Sequence, residues 1–398
     1  MSKYFYNPVF LYYIGLVVYA LLVPVDVDFE LRIIAVFYLL LLFFVFFLSS
    51  FISTRSESLK VEGFDINFRF LIFLVSLQYL AVFYSGYFYT GIEPLDMIGN
   101  VLAGVSNYSL YQEYFKSAEI STFGIYKVFP ILSVFYLKLI SLYVCYIATF
   151  HVYKFKLIVL VVLSLVPLVI FGLYRGTSFE FFEILVMILC LVYLRSRVYL
   201  NFKIPIFKVV LLISTLLFVY SYQVSVRYLH DYRPDCLNEF CYDSDSFLFD
   251  YFPVMYKLSA YFYFGPDYMA RWLIHFSESG EVFSLMLPFY GFFSGFEPKH
   301  LCQYGLNCGP TWAPDFEIAT YHFGIILAFI LVGLISYFQV RFLSAKRYAF
   351  VSFLGFYLLT LQLFAFPVGN FLVVSSANKI LLFLLLFLLV CKKFKRVV

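Results

Sequence analysis

Long apolar runs, broken by short polar interruptions, fill most of this chain. A membrane crossing needs about 20 mostly apolar residues, and runs of that kind fall at 8 to 25, 33 to 52, 70 to 89, 124 to 150, 157 to 173, 179 to 194, 204 to 224, 323 to 340, 348 to 366 and 371 to 391. Hydrocarbon offers backbone groups no hydrogen-bonding partner, so runs of this length and continuity predict helices. The pattern therefore predicts an all-α polytopic membrane protein with about ten transmembrane helices. Pro8 to Val25 reads as a retained first span, because no cleavable leader pattern precedes it.

The polar interruptions differ in charge, and that difference orients the spans. With the N-terminus in the cytoplasm, the cytoplasmic segments collect Lys3, then Arg55, Lys60 and Arg69, then Lys154 and Lys156, then Arg195, Arg197, Lys203 and Lys208. Arg341, Lys346 and Arg347 follow, and Lys392, Lys393, Lys395 and Arg396 close the chain. The short opposite loops hold only Arg32, Lys116, Lys127 and Arg175. Positive residues stay inside, so both termini are expected in the cytoplasm.

Two outer segments exceed a turn: residues 90 to 123 and, above all, 225 to 322. The second begins polar around Arg233 to Asp250 and becomes aromatic and amphipathic from Tyr251 to Phe276. From Val282 to Phe296 it is apolar but broken by Pro288, Gly291 and Gly295. That last stretch reads as an interfacial or re-entrant helix, since a single added crossing would invert the basic loop at 341 to 347. Two added crossings would keep the parity. With no repeat at a fixed period and no low-complexity linker, residues 1 to 398 are expected to form one integral membrane domain carrying a large periplasmic loop.

Composition agrees and narrows the chemistry. Hydrophobic residues make up 63% and charged residues 13%, with a mean hydropathy of +0.90, which no water-facing globular surface tolerates. The net charge of +4 points to no partner by itself, and nothing suggests nucleic acid. No Walker loop, Rossmann glycine pattern or HExxH occurs, so ATP-driven transport and zincin chemistry are excluded. Asp243-Ser244-Asp245 resembles a metal-holding acidic pair of nucleotide-sugar enzymes, but nucleotide sugars are cytoplasmic, and it reads as a solvated turn.

Cysteine placement supports the orientation. Cys145, Cys190 and Cys391 lie in or beside spans, where thiols act as small hydrophobes. Cys236, Cys241, Cys302 and Cys308 all fall in the large outer loop, as an oxidising compartment would have it. Proximity favours Cys236 with Cys241 and Cys302 with Cys308, the crossed pairing being the alternative. A zinc site is disfavoured because no tight Cys-x-x-Cys knuckle is present.

Several residues could carry chemistry. Arg175, in Gly172-Leu173-Tyr174-Arg175-Gly176-Thr177, could grip a phosphate bidentately at the outer boundary, or simply anchor a helix end. Arg227, His230 and Asp231 would share a face if the seventh span continued, with Arg233 in the following Arg-Pro turn. Arg271 and His275 form an i, i+4 pair beside Trp272, Tyr256, Tyr261, Tyr263 and Tyr268. Cations among rings suit a sugar diphosphate, though the same pattern describes a helix lying in headgroups. Further on, Asp315, Glu317, Tyr321 and His322 stand at the mouth of the eighth span, where a carboxylate or His could act as a general base. His300 is a further candidate base. Within the spans, Lys138, Glu180, Glu183 and Lys379 should face protein or water, and an intramembrane pair between Glu183 and Lys379 is one reading of their depth.

The combination of ten or more spans, a large late outer loop, Tyr174-Arg175-Gly176 in a short outer loop, the Tyr-rich Tyr261-Phe262-Tyr263-Phe264-Gly265-Pro266 and the exit Tyr321-His322-Phe323-Gly324 resembles the Wzy-type O-antigen polymerases. The match covers nearly the whole chain as a pattern. It implies a GT-C-like membrane glycosyltransferase of lipopolysaccharide biosynthesis in a bacterial inner membrane. Such an enzyme transfers the glycan of one undecaprenyl-diphosphate-linked unit to the nonreducing sugar of another at the periplasmic face, with no cofactor or metal and, as a further partner, a chain-length regulator. Under this resemblance His322 or Asp315 is the base, and Arg175, Arg227, Arg233, Arg271, His275 and Tyr321 bind substrate. His322 also resembles the periplasmic His of O-antigen ligases, which attach glycan to lipid A core, so a ligase is the nearest alternative. A flippase for the same lipid-linked sugar is the alternative from another class, although transporters commonly show the inverted repeats absent here.

Overall fold

In the computed structural model the described residues are 7–23, 25–52, 67–103, 107–117, 127–150, 155–177, 179–199, parts of 236–242, 253–278, 314–343, 350–369 and 375–394, with a few isolated positions. Helices dominate them: α1 (Pro8–Leu22), α2 (Phe29–Ile52), α3 (Phe68–Thr90), α4 (Pro94–Leu102), α5 (Asn107–Ser117), α6 (Val128–Phe150), α7 (Phe155–Arg175), α8 (Phe179–Val198), α9 (Pro253–Glu278), α10 (Asp315–Phe323), α11 (Ile325–Leu343), α12 (Phe350–Val368) and α13 (Ser376–Phe394). Six of these, α2, α3, α6, α7, α11 and α12, are long and apolar enough to cross a membrane. The first helix and the apolar part of α13, Ser376–Cys391, are shorter, and α8 carries Glu180, Glu183, Arg195 and Arg197. The stretches at 204 to 224 and 282 to 296 lie outside the described residues, as do Arg227, His230, Asp231, Arg233, His300, Cys302 and Cys308.

The exposed surface of the spans identifies their solvent. On α2, Ile33, Phe37, Leu40, Phe44, Phe47 and Phe51 are exposed at helical spacing, while Leu31, Ala35, Tyr38, Leu42 and Phe46 are buried on the other face. A stripe of large apolar side chains on that scale would drive aggregation in water. In lipid it faces its own kind, and this is a multi-pass membrane protein.

The chain forms two compact units of interleaved segments: one from Met1–Ser56, Arg233–Ser344 and Leu359–Val374, the other from Glu57–Tyr232, Ala345–Leu358 and Ser375–Val398. In the first unit α2 packs against α1, α9 and α11, and α10 against α11. A small antiparallel sheet joins β1 (Val25–Asp26), β3 (Phe240–Tyr242) and β2 (Cys236–Leu237) in that order. Val25 therefore belongs to a strand, although the sequence pattern extends the first span to it. The reason is local: Pro24 disfavours helical backbone at the preceding residue, and Val23 is extended with φ −59° and ψ 128°. The β2–β3 register sets Cys236 opposite Cys241, and directly opposed backbones lie about 4.5–5.5 Å apart, within the Cα separation a disulfide spans.

A second departure concerns α9. Its sequence reads as an amphipathic helix of the membrane surface, yet Tyr263, Phe264, Asp267, Tyr268, Met269, Ala270, Trp272 and Phe276 are all buried. From Tyr263 to Ala270 every position is buried, so this part of the helix lies inside the protein, where it packs on α2 and α1. Gly265 permits that depth, since a Cβ there would stand 2.2 Å from the Pro367 carbonyl oxygen.

Two interior prolines shape the bundle by the same device. Proline lacks an N–H, so the carbonyl four residues earlier loses its helical partner. Pro367 orphans the Leu363 carbonyl, which accepts a hydrogen bond from the Tyr13 hydroxyl at 2.9 Å. Pro167 orphans Leu163, whose carbonyl accepts from the Tyr79 hydroxyl at 3.0 Å. In each case a tyrosine replaces the missing donor, as a nonaqueous interior requires.

In the second unit α3, α6 and α7 pack mutually, α8 joins α6 and α7, and α13 joins α6. Gln78 ties three helices at full burial, its amide nitrogen donating to the Leu137 carbonyl at 2.8 Å and the Ser141 hydroxyl at 3.1 Å, with the Ser164 carbonyl sharing those hydrogens at 3.4 Å.

Candidate functional site

Among the described residues, each unit carries a concentration of charge at a helix end. In the first it is acidic. Pro314 caps α10 with extended backbone and leaves Asp315 and Glu317 in its first turn, where carboxylates complement the helix dipole. Phe316 between them packs on Tyr38 of α2 at 5.5 Å and Phe329 of α11 at 4.7 Å. That wedge buries both neighbours, leaving Asp315 6% and Glu317 1% exposed. Asp315 accepts a hydrogen bond from Gln362 at 2.7 Å. Glu317 is differently placed, since its Oε1 meets no donor among the described residues. Burial without compensation disfavours the charged form and lifts the Glu317 carboxyl to about 7. The same carboxylate, after burial itself, helps hold the Tyr268 hydroxyl of α9 in its neutral form.

Sequence reasoning assigned the base to Asp315 or His322 and passed over Glu317 as one carboxylate among several. Asp315 is buried too, so what separates Glu317 is burial without a donor such as Gln362. His322 is exposed at the end of α10, its ring edge-on to half-buried Tyr321 at 5.1 Å. On α9, Arg271 is paired one turn back with Asp267 at 2.8 Å, the carboxylate 1% and the guanidinium side chain 25% exposed. The expected grouping of Arg271 with His275 is thus supplemented by an anchor the sequence reading did not include, and His275 stands against Phe276 at 5.6 Å.

In the second unit the site is basic. Arg175 is the last residue of α7, and Gly176 follows at φ +59°, a left-handed turn that suits glycine. The turn also runs so close to α5 that a Cβ at Gly176 would lie 2.5 Å from the Tyr108 nitrogen. Arg175 donates to Glu180 at 2.6 Å, and Thr177 donates to the other oxygen of that carboxylate, also at 2.6 Å. The guanidinium lies over Tyr111 of α5 at 5.2 Å and over Phe171, one turn back on α7, at 5.5 Å. Its side chain remains 26% exposed while Glu180 is 1% exposed. A buried carboxylate and two rings thereby fix the plane of a cation that is still accessible, the preorganisation a bidentate anion contact needs.

Glu183 of α8 pairs with Lys138 of α6 at 2.7 Å, not with Lys379, the pairing expected from the sequence. Lys138 also donates to Ser375 at 3.0 Å and Asn378 at 3.1 Å, and Asn378 donates to Glu183 at 2.7 Å. An ammonium has three N–H groups. All three are used among the described residues, so the ammonium joins α6, α8 and α13 and has no donor left for a ligand.

Among the described residues no group of three or more His, Cys, Asp or Glu side chains is arranged to hold a metal ion. No family model, no curated protein and no solved structure matches the chain.

Proposed function

We propose that the protein is a membrane glycosyltransferase of the O-antigen polymerase type, joining undecaprenyl-diphosphate-linked oligosaccharide units at the periplasmic face of a bacterial inner membrane. The reading takes the chain as ten spans with both termini cytoplasmic and residues 225 to 322 periplasmic. The observation that carries it is Arg175: an accessible guanidinium at the end of a span, braced by buried Glu180 and two aromatic rings. A lipid-linked diphosphate is an anion confined to the bilayer surface, and such a cation is suited to it.

The reaction moves one bond and one proton. An acceptor sugar hydroxyl attacks the anomeric carbon of the donor, the bond from that carbon to the diphosphate oxygen breaks, and undecaprenyl diphosphate leaves with the electron pair. A preorganised guanidinium stabilises the negative charge developing on the leaving group, the role assigned to Arg175. The hydroxyl proton goes to a general base. Glu317 suits that role better than Asp315, because its carboxyl titrates at about 7 and a base works best when its pKa lies near the operating pH.

Exposed His322 at the end of α10 favours the ligase as the second reading. Deletion of the gene separates the two: core carrying a single repeat unit marks a polymerase, bare core a ligase. Arg175→Ala should abolish long-chain glycan at unchanged protein level. An unaltered glycan ladder would remove Arg175 from the site.

A further inference from the structure

The segment following α3 contains an apolar face that no described residue covers. Leu95, Ile98 and Leu102 of α4 fall at i, i+3 and i+7, on one arc of the helix, and are 81%, 50% and 79% exposed. Gly99 lies on the same arc, and a Cβ added there would meet nothing within 4 Å. The opposite side is bound to the protein. Met97 is buried with Ile92 and Tyr174, and Val101 packs against that cluster.

We propose that α4 is an interfacial helix, seated with Leu95, Ile98 and Leu102 in the acyl boundary of the lipid leaflet into which α3 emerges. Three observations select lipid as the occupant. The arc continues an apolar face that lipid already covers, because α3 ends at Thr90 with Tyr84 and Tyr87 of its last turns 49% and 53% exposed, and tyrosines of this kind mark headgroup level. Only three residues, Gly91 to Glu93, separate the two helices, so α4 cannot leave the surface at which α3 ends. Its polar residues, Asp96 and Asn100, project from a different arc, which gives the helix the sidedness of one lying in the interface plane. Neither is basic, so apolar burial rather than attraction to anionic headgroups holds the helix down.

The seat has a consequence for Arg175. Asn100 of α4 donates to Asn107 at the start of α5 at 3.0 Å, and Asn107 donates to the Leu173 carbonyl of α7 at 3.0 Å. A helix fixed in the interface thereby fixes α5, whose Tyr111 ring covers the Arg175 guanidinium.

The test uses the full-length protein in vesicles of phosphatidylethanolamine and phosphatidylglycerol. A benzophenone-bearing phenylalanine analogue is introduced singly at Leu95, Ile98, Leu102, Asp96 or Asn100, irradiated, and its adducts are identified by mass. Lipid adducts at the first three positions and not at the last two are expected, persisting when phosphatidylcholine replaces phosphatidylglycerol. Adducts to another segment of the chain or to a second copy at Leu95 and Leu102, no lipid adduct at any position, or lipid adducts at all five would overturn the proposal. Leu95→Trp supplies a second measurement, its emission being quenched by brominated acyl chains if the face is seated and unaffected if it is not.

Discussion

Glu183 and Lys138 meet at 2.7 Å with their side chains 0% and 2% exposed, an ion pair closed off inside the helices of one unit. Desolvating two charges costs several kcal/mol, and the return depends on every remaining donor and acceptor finding a partner. Ser375 and Asn378 take the remaining ammonium donors, and Asn378 donates in turn to Glu183. Removing one charge and leaving the other should therefore be worse than removing both. Lys138→Met or Glu183→Leu alone should destabilise by about 3–5 kcal/mol, while the double variant should recover most of that loss. Thermal unfolding of the four proteins in detergent measures it, and equal losses in single and double variants would contradict the closed network.

Glu317 should impose a pH dependence of a particular sign. Its carboxyl is raised from an ordinary 4.5 to about 7, so the folded state holds the proton more tightly than the unfolded one. Its contribution to stability is complete below pH 4.5 and is lost as pH rises through 7. Glycan transfer should run the other way, rising with pH along a limb centred near 7 as the base ionises. Glu317→Gln should flatten both dependences and lower the transfer rate by about 100-fold or more. A retained acidic limb in the Gln variant, read from transfer rates in proteoliposomes across pH, would assign the titration elsewhere.

The Tyr13 hydroxyl stands in for the N–H that Pro367 lacks. Tyr13→Phe would leave the Leu363 carbonyl buried without its donor, at a cost of about 1–3 kcal/mol. Pro367→Ala in the Phe background restores a backbone donor and should recover part of the loss. A double-mutant cycle on the midpoint of thermal unfolding gives the coupling.

Gly265 brings α9 against the end of α12. With a Cβ 2.2 Å from the Pro367 oxygen, Gly265→Ala must push the backbones apart, and overpacking of that kind costs about 1–3 kcal/mol. The same shift would disturb Asp267 and Arg271, which lie within the next two turns of α9. Glycan transfer should thus fall along with stability, and a variant as stable and active as the parent would show that the contact is relaxed.

Tyr111 should affect Arg175 without altering its charge. Tyr111→Leu removes the ring face and the hydroxyl that hydrogen-bonds with Arg175, so the guanidinium loses about 0.5–2 kcal/mol of orienting interaction from the ring alone. The expected result is weaker use of lipid-linked donor, seen as a raised KM with a smaller change in kcat.

Much of the helical architecture is legible without coordinates, because a lipid solvent writes its demand into every run of apolar residues. Helices occur at the positions of nine of the ten apolar runs, the remaining one lying outside the described residues. The first ends three residues short of the reading, at the Pro24 boundary. Arg175, Arg271, Asp315 and His322 were selected by residue type and position. What each would touch was not legible: Glu180 is five residues from Arg175 and Asp267 four from Arg271, but nearness in sequence offered several partners for each. The Glu183–Lys138 pair lies further out of reach, since depth within the membrane fixes height and leaves rotation and neighbours undetermined.

Solvent preference is a property of each residue type, so the sequence alone determined which segments are helical, which are apolar enough for lipid and where the charges cluster. Burial is a property of the assembled helices. Only the tertiary packing around α10 decided that Glu317 lies buried, where a carboxylate holds its proton near neutral pH. Only the packing of α5 on α7 decided that Arg175 lies beneath an aromatic ring.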